Sequence, residues 1–343
     1  MPAHCTDSAT EIFFHQERTE EMKKMKKAIW LAAAVAALAH GAVRAAPYPE
    51  QPITLVVPFS AGGGADNAAR ILAKGLGEVS GQSVIVDNKP GASGSIGGAA
   101  VARARPDGYT VLFDASSFAI NPALRKLPFD PAKDLVAVSQ IISVPNILVV
   151  APSSPYNTLP DFLAAARAKP GKLTYASYGP GSLAQMAVEL LRIDAKFEAV
   201  HVPYKGGAPA IMDVMGGQVD VYFANAASSL SYVKSGKLKA LAVSSATRMK
   251  ELPSVPTVQE AGIKGYQVME WNGLFVPAGT PPAVIARLQE LSQKALALPD
   301  VRSSLDALGL TPVGSSSAEF QNFVNAERKR WDTVVKTNGI TAN

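Results

Sequence analysis

Ile53-Thr54-Leu55-Val56-Val57-Pro58-Phe59-Ser60-Ala61-Gly62-Gly63-Gly64-Ala65-Asp66 joins an apolar, β-branched run to a glycine-rich loop that opens a helix-like segment. The layout returns at Val84-Ile85-Val86, followed after Asp87 by Asn88-Lys89-Pro90-Gly91-Ala92-Ser93-Gly94-Ser95-Ile96-Gly97-Gly98. A loop poor in side chains that feeds a helix N-terminus presents backbone N–H groups and the positive end of the helix dipole, a setting for a carboxylate or phosphate. Three consecutive glycines exceed what a strand-to-helix turn requires. Asp66 then either caps the helix or accepts from a ligand donor. No Gly-Lys-Ser/Thr follows, so the loop is not a nucleotide phosphate loop of the Walker type.

Outward from these loops, a strand–loop–helix rhythm runs to about Val243. Strand candidates are Ile53–Val57 and residues 84–86, 110–113, 147–150, 173–176, 199–202, 219–223 and 240–243. They are short, β-branched and not alternating, as buried parallel strands are. Amphipathic stretches lie between them, at residues 65–79, 159–168, 182–193 and 208–215. The alternation predicts an α/β fold with helices on both sheet faces. Thr158-Leu159-Pro160 marks one helix start and Lys169-Pro170-Gly171 its stop; Thr280-Pro281-Pro282 opens a helix through Ala297. Ser317-Ala318-Glu319 begins another, with Phe320, Phe323, Val324 and Trp331 on a core-facing stripe. Candidate boundaries lie at residues 143–147 and 266–273. A chain that leaves one α/β domain and returns to it leaves a hinge and a cleft between lobes, and ligand sites of such units sit at the carboxyl ends of strands, where these loops are.

The N-terminus has the layout of an export signal: Lys23, Lys24, Lys26 and Lys27, an apolar core over residues 28–39, and Val43-Arg44-Ala45 before the cut. Cleavage is expected after Ala45 or Ala46, and a start at Met22 or Met25 would account for residues 1–21. The mature chain would lose Cys5, His4, His15 and His40, keep only His201 among imidazoles, and carry a net charge near +4 rather than +5. That removes disulfides, thiolate chemistry and haem attachment, and no basic run remains as a nucleic-acid footprint.

Catalytic motifs are weak. Gly179-Pro180-Gly181-Ser182-Leu183-Ala184 fits a dinucleotide spacing, but no acidic residue closes the next strand and Pro180 lacks an N–H. No Gly-x-Ser-x-Gly elbow exists. Ser231-Tyr232-Val233-Lys234 stands without its companion motifs, and His201 reads as a core residue. Carboxylates are scattered, and nothing calls for a metal or cofactor.

Taken in order, the motifs resemble the Bug family, the periplasmic solute receptors of tripartite tricarboxylate transporters. The resembling stretches include Tyr48-Pro49-Glu50-Gln51-Pro52-Ile53, the two glycine loops, Arg105-Pro106-Asp107-Gly108-Tyr109-Thr110, Val202-Pro203-Tyr204-Lys205-Gly206-Gly207, Gly216-Gly217-Gln218-Val219-Asp220 and Pro277-Ala278-Gly279-Thr280-Pro281. The resemblance implies a two-lobed periplasmic binding protein of the Venus-flytrap, type II-like kind, each lobe a mainly parallel sheet flanked by helices, with two crossovers. Lobe 1 would be residues 46–146 and 268–343, and lobe 2 residues 147–267. It implies a monomeric, non-enzymatic receptor that passes a small carboxylate to membrane permease subunits, with no cofactor. By position, the ligand would be met by Phe59, Ser60, Ala61, Gly62 and Asp66 in the first loop, Gly91, Ala92 and Ser93 in the second, and Ser116 and Ser117 after the next strand. Ser177, Tyr178, Gly179, Gly181, Ser182, Tyr204 and Asn225 would face them. The family often has a proline where Ser60-Ala61 stands, a histidine near Leu183-Ala184-Gln185 and an aspartate in place of Asn225, so the distal end of the ligand would be read differently here. A sensor of the same fold for a membrane histidine kinase, and an exported enzyme acting on a carboxylated substrate, are the alternatives.

Overall fold

The computed structural model describes residues 21, 22, 25, 27 and 48–341. Glu21, Met22, Met25 and Lys27 are helical and belong to an N-terminal unit, residues 1–48; a second compact unit covers residues 49–343. Apart from Met22, Met25 and Lys27, the signal-like segment lies outside the described residues. Among the described residues no helix is long and apolar enough to cross a membrane.

The chain runs β1 (Ile53–Val57), α1 (Gly64–Ser80), β2 (Val84–Asn88), a 3₁₀ turn (Ala92–Gly94), α2 (Ser95–Ala102), β3 (Thr110–Ala115), α3 (Ser117–Leu124) and β4 (Leu135–Val150). It continues with α4 (Leu159–Ala168), β5 (Thr174–Ser177), α5 (Leu183–Ala195), β6 (Val200–Pro203), α6 (Gly207–Met215), β7 (Val221–Asn225), α7 (Ala226–Lys234) and β8 (Lys239–Val243). β9 (Met269–Pro277), α8 (Pro282–Ala297), α9 (Pro299–Ala307), β10 (Thr311–Pro312) and α10 (Ser317–Asn338) complete it. Every expected strand is present, some shifted by a residue or two, but the runs at 147–150 (the end of β4) and 240–243 (β8) pair antiparallel rather than in parallel.

The sheet order is β2-β1-β3-β9-β4-β7-β5-β6, with β8 and β10 also paired to β4. β1, β2 and β3 pair in parallel, as do β5, β6 and β7, so the loops after them leave from common edges. The 16-residue β4 joins the two groups. Its residues from Leu135 to Pro145 pair antiparallel with β9, and from Asn146 onward it pairs with β7 and β8. The first half of β4 and all of β9 went unread in the sequence. Pro145-Asn146 looks like a strand end, and Pro145 is tolerated because the pairing partner changes there.

Local signals hold where caps were expected. Thr158 and Asp161 form a reciprocal capping box at α4; for α10 the cap is Ser316, with Glu319 closing the box, one residue before the expected start. The stripe on α10 packs as core: Phe320 meets the Trp271 ring at 5.5 Å and the Phe275 ring at 5.0 Å. Gly273 makes room for it, since a Cβ there would lie 2.1 Å from the Phe320 ring. Burying aromatics of this size supplies the dominant apolar term and ties α10 to β9.

Candidate functional site

The loops at the carboxyl ends of the two parallel groups meet. Phe59 and Tyr178 stand edge to face with ring centroids 5.6 Å apart. Ser93 Oγ donates to the Pro180 carbonyl at 2.6 Å, and Arg125 donates to the same carbonyl. Asn67 Nδ2 donates to Ala227 O at 2.9 Å. The glycines are where backbones come closest: a Cβ on Gly206 would lie 1.8 Å from Ser60 Oγ, and one on Gly64 would lie 2.4 Å from Asn225 Oδ1. This is a closed cleft.

Two cavities lie within it, and Phe59 and Tyr178 line both. One, of about 30 Å³, is lined by Gly63, Gly64, Ala65, Ala115, Gly207, Tyr222, Asn225, Ser228, Glu270 and Asn272 besides those rings. The other, of about 210 Å³, is lined by Pro58, Gly91, Ala92, Ser93, Gly179, Pro180, Pro203, Tyr204 and Lys205 as well.

The first loop is braced by Asp66. Gly62 N–H donates to its Oδ2 at 2.9 Å, Arg70 Nε to the same atom at 2.9 Å, and Asn88 Nδ2 to its Oδ1 at 3.0 Å. Burial alone would push the Asp66 pKa up; bonds from Arg70, Gly62 and Asn88 outweigh this and hold it below the usual carboxylate range. Its oxygens are therefore occupied by the protein. Gly63, which caps α1, has no side chain to satisfy the first turn, and neither has Gly206 at the start of α6. These two helix N-termini face each other, with a Cβ on Gly63 placed 3.7 Å from Gly207 N, and both border the small cavity. By contrast, the start of α5 is satisfied by side chains: Gly181 N–H bonds Gln185 Oε1, Leu183 N–H bonds Tyr178 Oη, and Gln185 N–H bonds Ser182 Oγ.

The second loop holds four successive residues in the left-handed region, Gly91 (φ 132°), Ala92 (45°), Ser93 (49°) and Gly94 (97°). Such backbone costs about 1–3 kcal/mol per non-glycine residue and persists only where neighbours impose it. Asn121 Nδ2 on Ser93 O at 2.8 Å and Ser95 Oγ on Ala92 O at 2.9 Å do so.

The expected residues thus divide. Phe59, Gly91, Ala92, Ser93, Tyr178, Gly179, Tyr204 and Asn225 line the cavities. Ser60, Ala61 and Gly62 form the loop wall without bordering either cavity, Ser60 against Gly206 and the other two exposed. Asp66, Ser116, Ser117, Ser177, Gly181 and Ser182 are buried behind the lining. Ser177 Oγ lies 2.6 Å from His201 Nε2 and accepts from Gly179 N–H at 3.1 Å. That serine–histidine pair borders neither cleft cavity and serves to hold the 177–182 loop.

Sequence reasoning missed Glu270, Asp114, Tyr222, Ser228 and Asn272. Glu270, 1% exposed, accepts from Ser116 N–H at 3.0 Å and from the Tyr178 hydroxyl. Burial pushes its pKa up, countered by those bonds. Asp114 is pushed up to about 8, first by burial and then by the Glu270 charge, against the lowering effect of Ala115 N–H. Asp114 and Glu270 are 156 positions apart and Glu270 lies on the unread β9, so no spacing signal could have paired them.

A larger groove of about 780 Å³ lies elsewhere, lined among others by Arg167, Glu189, Arg192, His201 and Ile340. None of the expected site residues borders it. Glu189 is already bonded by Tyr175 and Arg192, and Arg167 donates to Ala195 O at 2.9 Å.

A family model described as "Tripartite tricarboxylate transporter family receptor" matches residues 68–340. The chain is 36% identical to Protein BugT of Bordetella pertussis over 300 residues, 87% of this chain and 92% of BugT. Among solved structures it is similar to the periplasmic binding protein BugD, with a TM-score of 0.83, 34% identity and coverage of 86% and 99% of the two chains. It is likewise similar to R. palustris Rpa4515 with adipate, with a TM-score of 0.83, 35% identity and coverage of 86% and 99%.

Proposed function

The chain belongs to the tripartite tricarboxylate transporter family of receptors, and from that premise we propose that it captures a small carboxylate in its cleft and hands it to the membrane subunits of such a transporter. It is a periplasmic solute receptor of the two-lobed binding-protein fold. The observation that carries the ligand class is the pair of helix N-termini, α1 and α6, that meet at one cavity without a side-chain cap. Backbone N–H groups and the positive ends of two helices at one cavity favour an anion, and the adipate bound to Rpa4515 is consistent with a carboxylate.

Residues 46–146 and 268–343 act as one lobe and residues 147–267 as the other. The switch of β4 between partners at Pro145 and Asn146 supports a hinge there. Residues 22–46 act as a cleaved export signal. Binding occurs without turnover: neither thiol nor imidazole is among the residues lining the two cleft cavities. The ligand's carboxylate is met by helix dipoles rather than by a cationic side chain, which lowers the desolvation cost and suits release to a permease. The cavity-lining residues Phe59, Ala92, Ser93, Tyr178, Tyr204 and Asn225 contact the ligand, while Asp66, Ser116, Ser177 and Ser182 hold their loops in place.

A thermal-shift screen of the purified protein against mono-, di- and tricarboxylates tests this. A ligand at a hundred times its Kd stabilises by about 2.7 kcal/mol, a rise of several degrees. A hit that is recovered unchanged after hours supports the reading. No shift with any carboxylate, or conversion of the ligand to product, refutes it.

A further inference from the structure

Resting on the carboxylate reading, we infer that the cleft selects an α-amino acid head group, and that Glu270 determines this by accepting the ligand's ammonium. The small cavity is bordered by both polarities. The N-terminal turns of α1 and α6, at Gly63, Gly64, Ala65 and Gly207, supply the side that attracts a carboxylate. On the same lining stand Glu270, Asn272 and Tyr222, each 1% exposed or less, with the Tyr222 hydroxyl beside the start of α6, 3.3 Å from where a Gly207 Cβ would lie. Tyr222 Oη and Asn272 Oδ1 find no hydrogen-bond partner among the described residues, although buried polar atoms ordinarily do. Asn272 Nδ2 is held by Asp114 O at 3.2 Å. An ammonium has three N–H donors, and these residues offer it three acceptors.

Glu270 is the one charged side chain on this lining. Its hydrogen bonds favour an acceptor role. Leu183 N–H donates to Tyr178 Oη at 3.1 Å, which directs the tyrosine proton onto Glu270 Oε2, while Ser116 N–H occupies Oε1. A ligand with a carboxylate alone would place negative charge beside this carboxylate and leave its acceptors unmet, a costly arrangement in a buried site. Zwitterionic ligands satisfy both sides. The 210 Å³ cavity beyond the Phe59 and Tyr178 rings, with Lys205 on its wall, is the space for the amino acid side chain.

The test uses matched pairs that differ only in the amine: alanine and propionate, aspartate and succinate, glutamate and glutarate. Calorimetry on the wild-type protein should show the amino acid of at least one pair binding about thirtyfold or more tighter than its partner, the scale of one hydrogen bond to a charged group. Glu270→Gln should lose most of that ratio, through weaker binding of the amino acid. Equal affinity within every pair, or a ratio unchanged in Glu270→Gln, overturns the inference while the carboxylate reading stands. Tighter binding of the des-amino acids, rising toward lower pH, also overturns it, because Glu270 would then be a protonated donor. Silence from both members of every pair and from the wider carboxylate panel would remove the carboxylate reading and this inference with it. If Glu270→Gln does not fold, the wild-type ratio decides alone.

Discussion

Tyr178→Phe removes one oxygen and tests whether the closed cleft is the resting state. The ring stays, with its edge-to-face contact on Phe59, so no cavity is created. Two hydrogen bonds vanish: the one to Glu270 Oε2 and the one from Leu183 N–H at 3.1 Å. Glu270 keeps its bonds from Ser116, and Leu183, 0% exposed, loses a partner in the first turn of α5. An orphaned buried group costs about 1–3 kcal/mol, more where it is charged, so the pair amounts to about 3–5 kcal/mol. At about 2 °C per kcal/mol for a chain of this size, the melting temperature should fall by about 6–10 °C. Urea unfolding followed by circular dichroism should show a lower midpoint at unchanged slope. A loss under about 1 kcal/mol would refute the reasoning, since it would mean that the Tyr178–Glu270 contact is absent from the unliganded protein in solution.

Gly206→Ala places a methyl group where Ser60 Oγ now sits, 1.8 Å away; the backbone there is extended and accepts any residue. It should weaken ligand binding at least about tenfold by blocking closure and should lower the unfolding midpoint of the unliganded protein, because the Tyr178–Glu270 contact across the cleft opens with it, and unchanged affinity by calorimetry would remove Gly206 from the closing contact. Asp114→Asn tests the buried carboxyl, which faces Ala115 N–H, the Gly94 backbone and the Glu270 charge. Its folded pKa of about 8 lies above the unfolded value of 3.8, so the stability it contributes is present below about pH 4 and is lost as pH rises to about 8. The wild type should therefore lose stability relative to Asp114→Asn across that window, by at most about 1.4 kcal/mol per pH unit, and parallel curves in urea unfolding at pH 5 to 8 would refute the assignment.

Much of the candidate site was legible because it is made of backbone. Gly62 to Gly64 and Gly91 to Gly98 announce loops at strand ends, and both loops do border the cleft. Asp66 was read as a cap or a ligand acceptor, and the structure shows it bracing Gly62, Arg70 and Asn88. Ser116, Ser177 and Ser182 were placed in the site region, yet their hydroxyls serve neighbouring backbone, which local sequence does not reveal. Glu270 escaped notice because its burial arises only when β9 pairs with β3 and β4, elements separated from it by more than a hundred residues.

By itself the sequence determined what local chemistry decides: the positions of the short apolar strands, the capped helix starts at Thr158 and near Ser317, and the glycine loops. Those features follow from side-chain pattern and backbone freedom within a few residues. Only the tertiary structure decided which helix termini face each other, that a single strand, β4, serves both halves of the sheet, and that Glu270, Tyr222 and Asn272 border one cavity. These are long-range pairings, and a hydrogen bond between residues such as Ser116 and Glu270, 154 positions apart, leaves no periodicity for the sequence to carry.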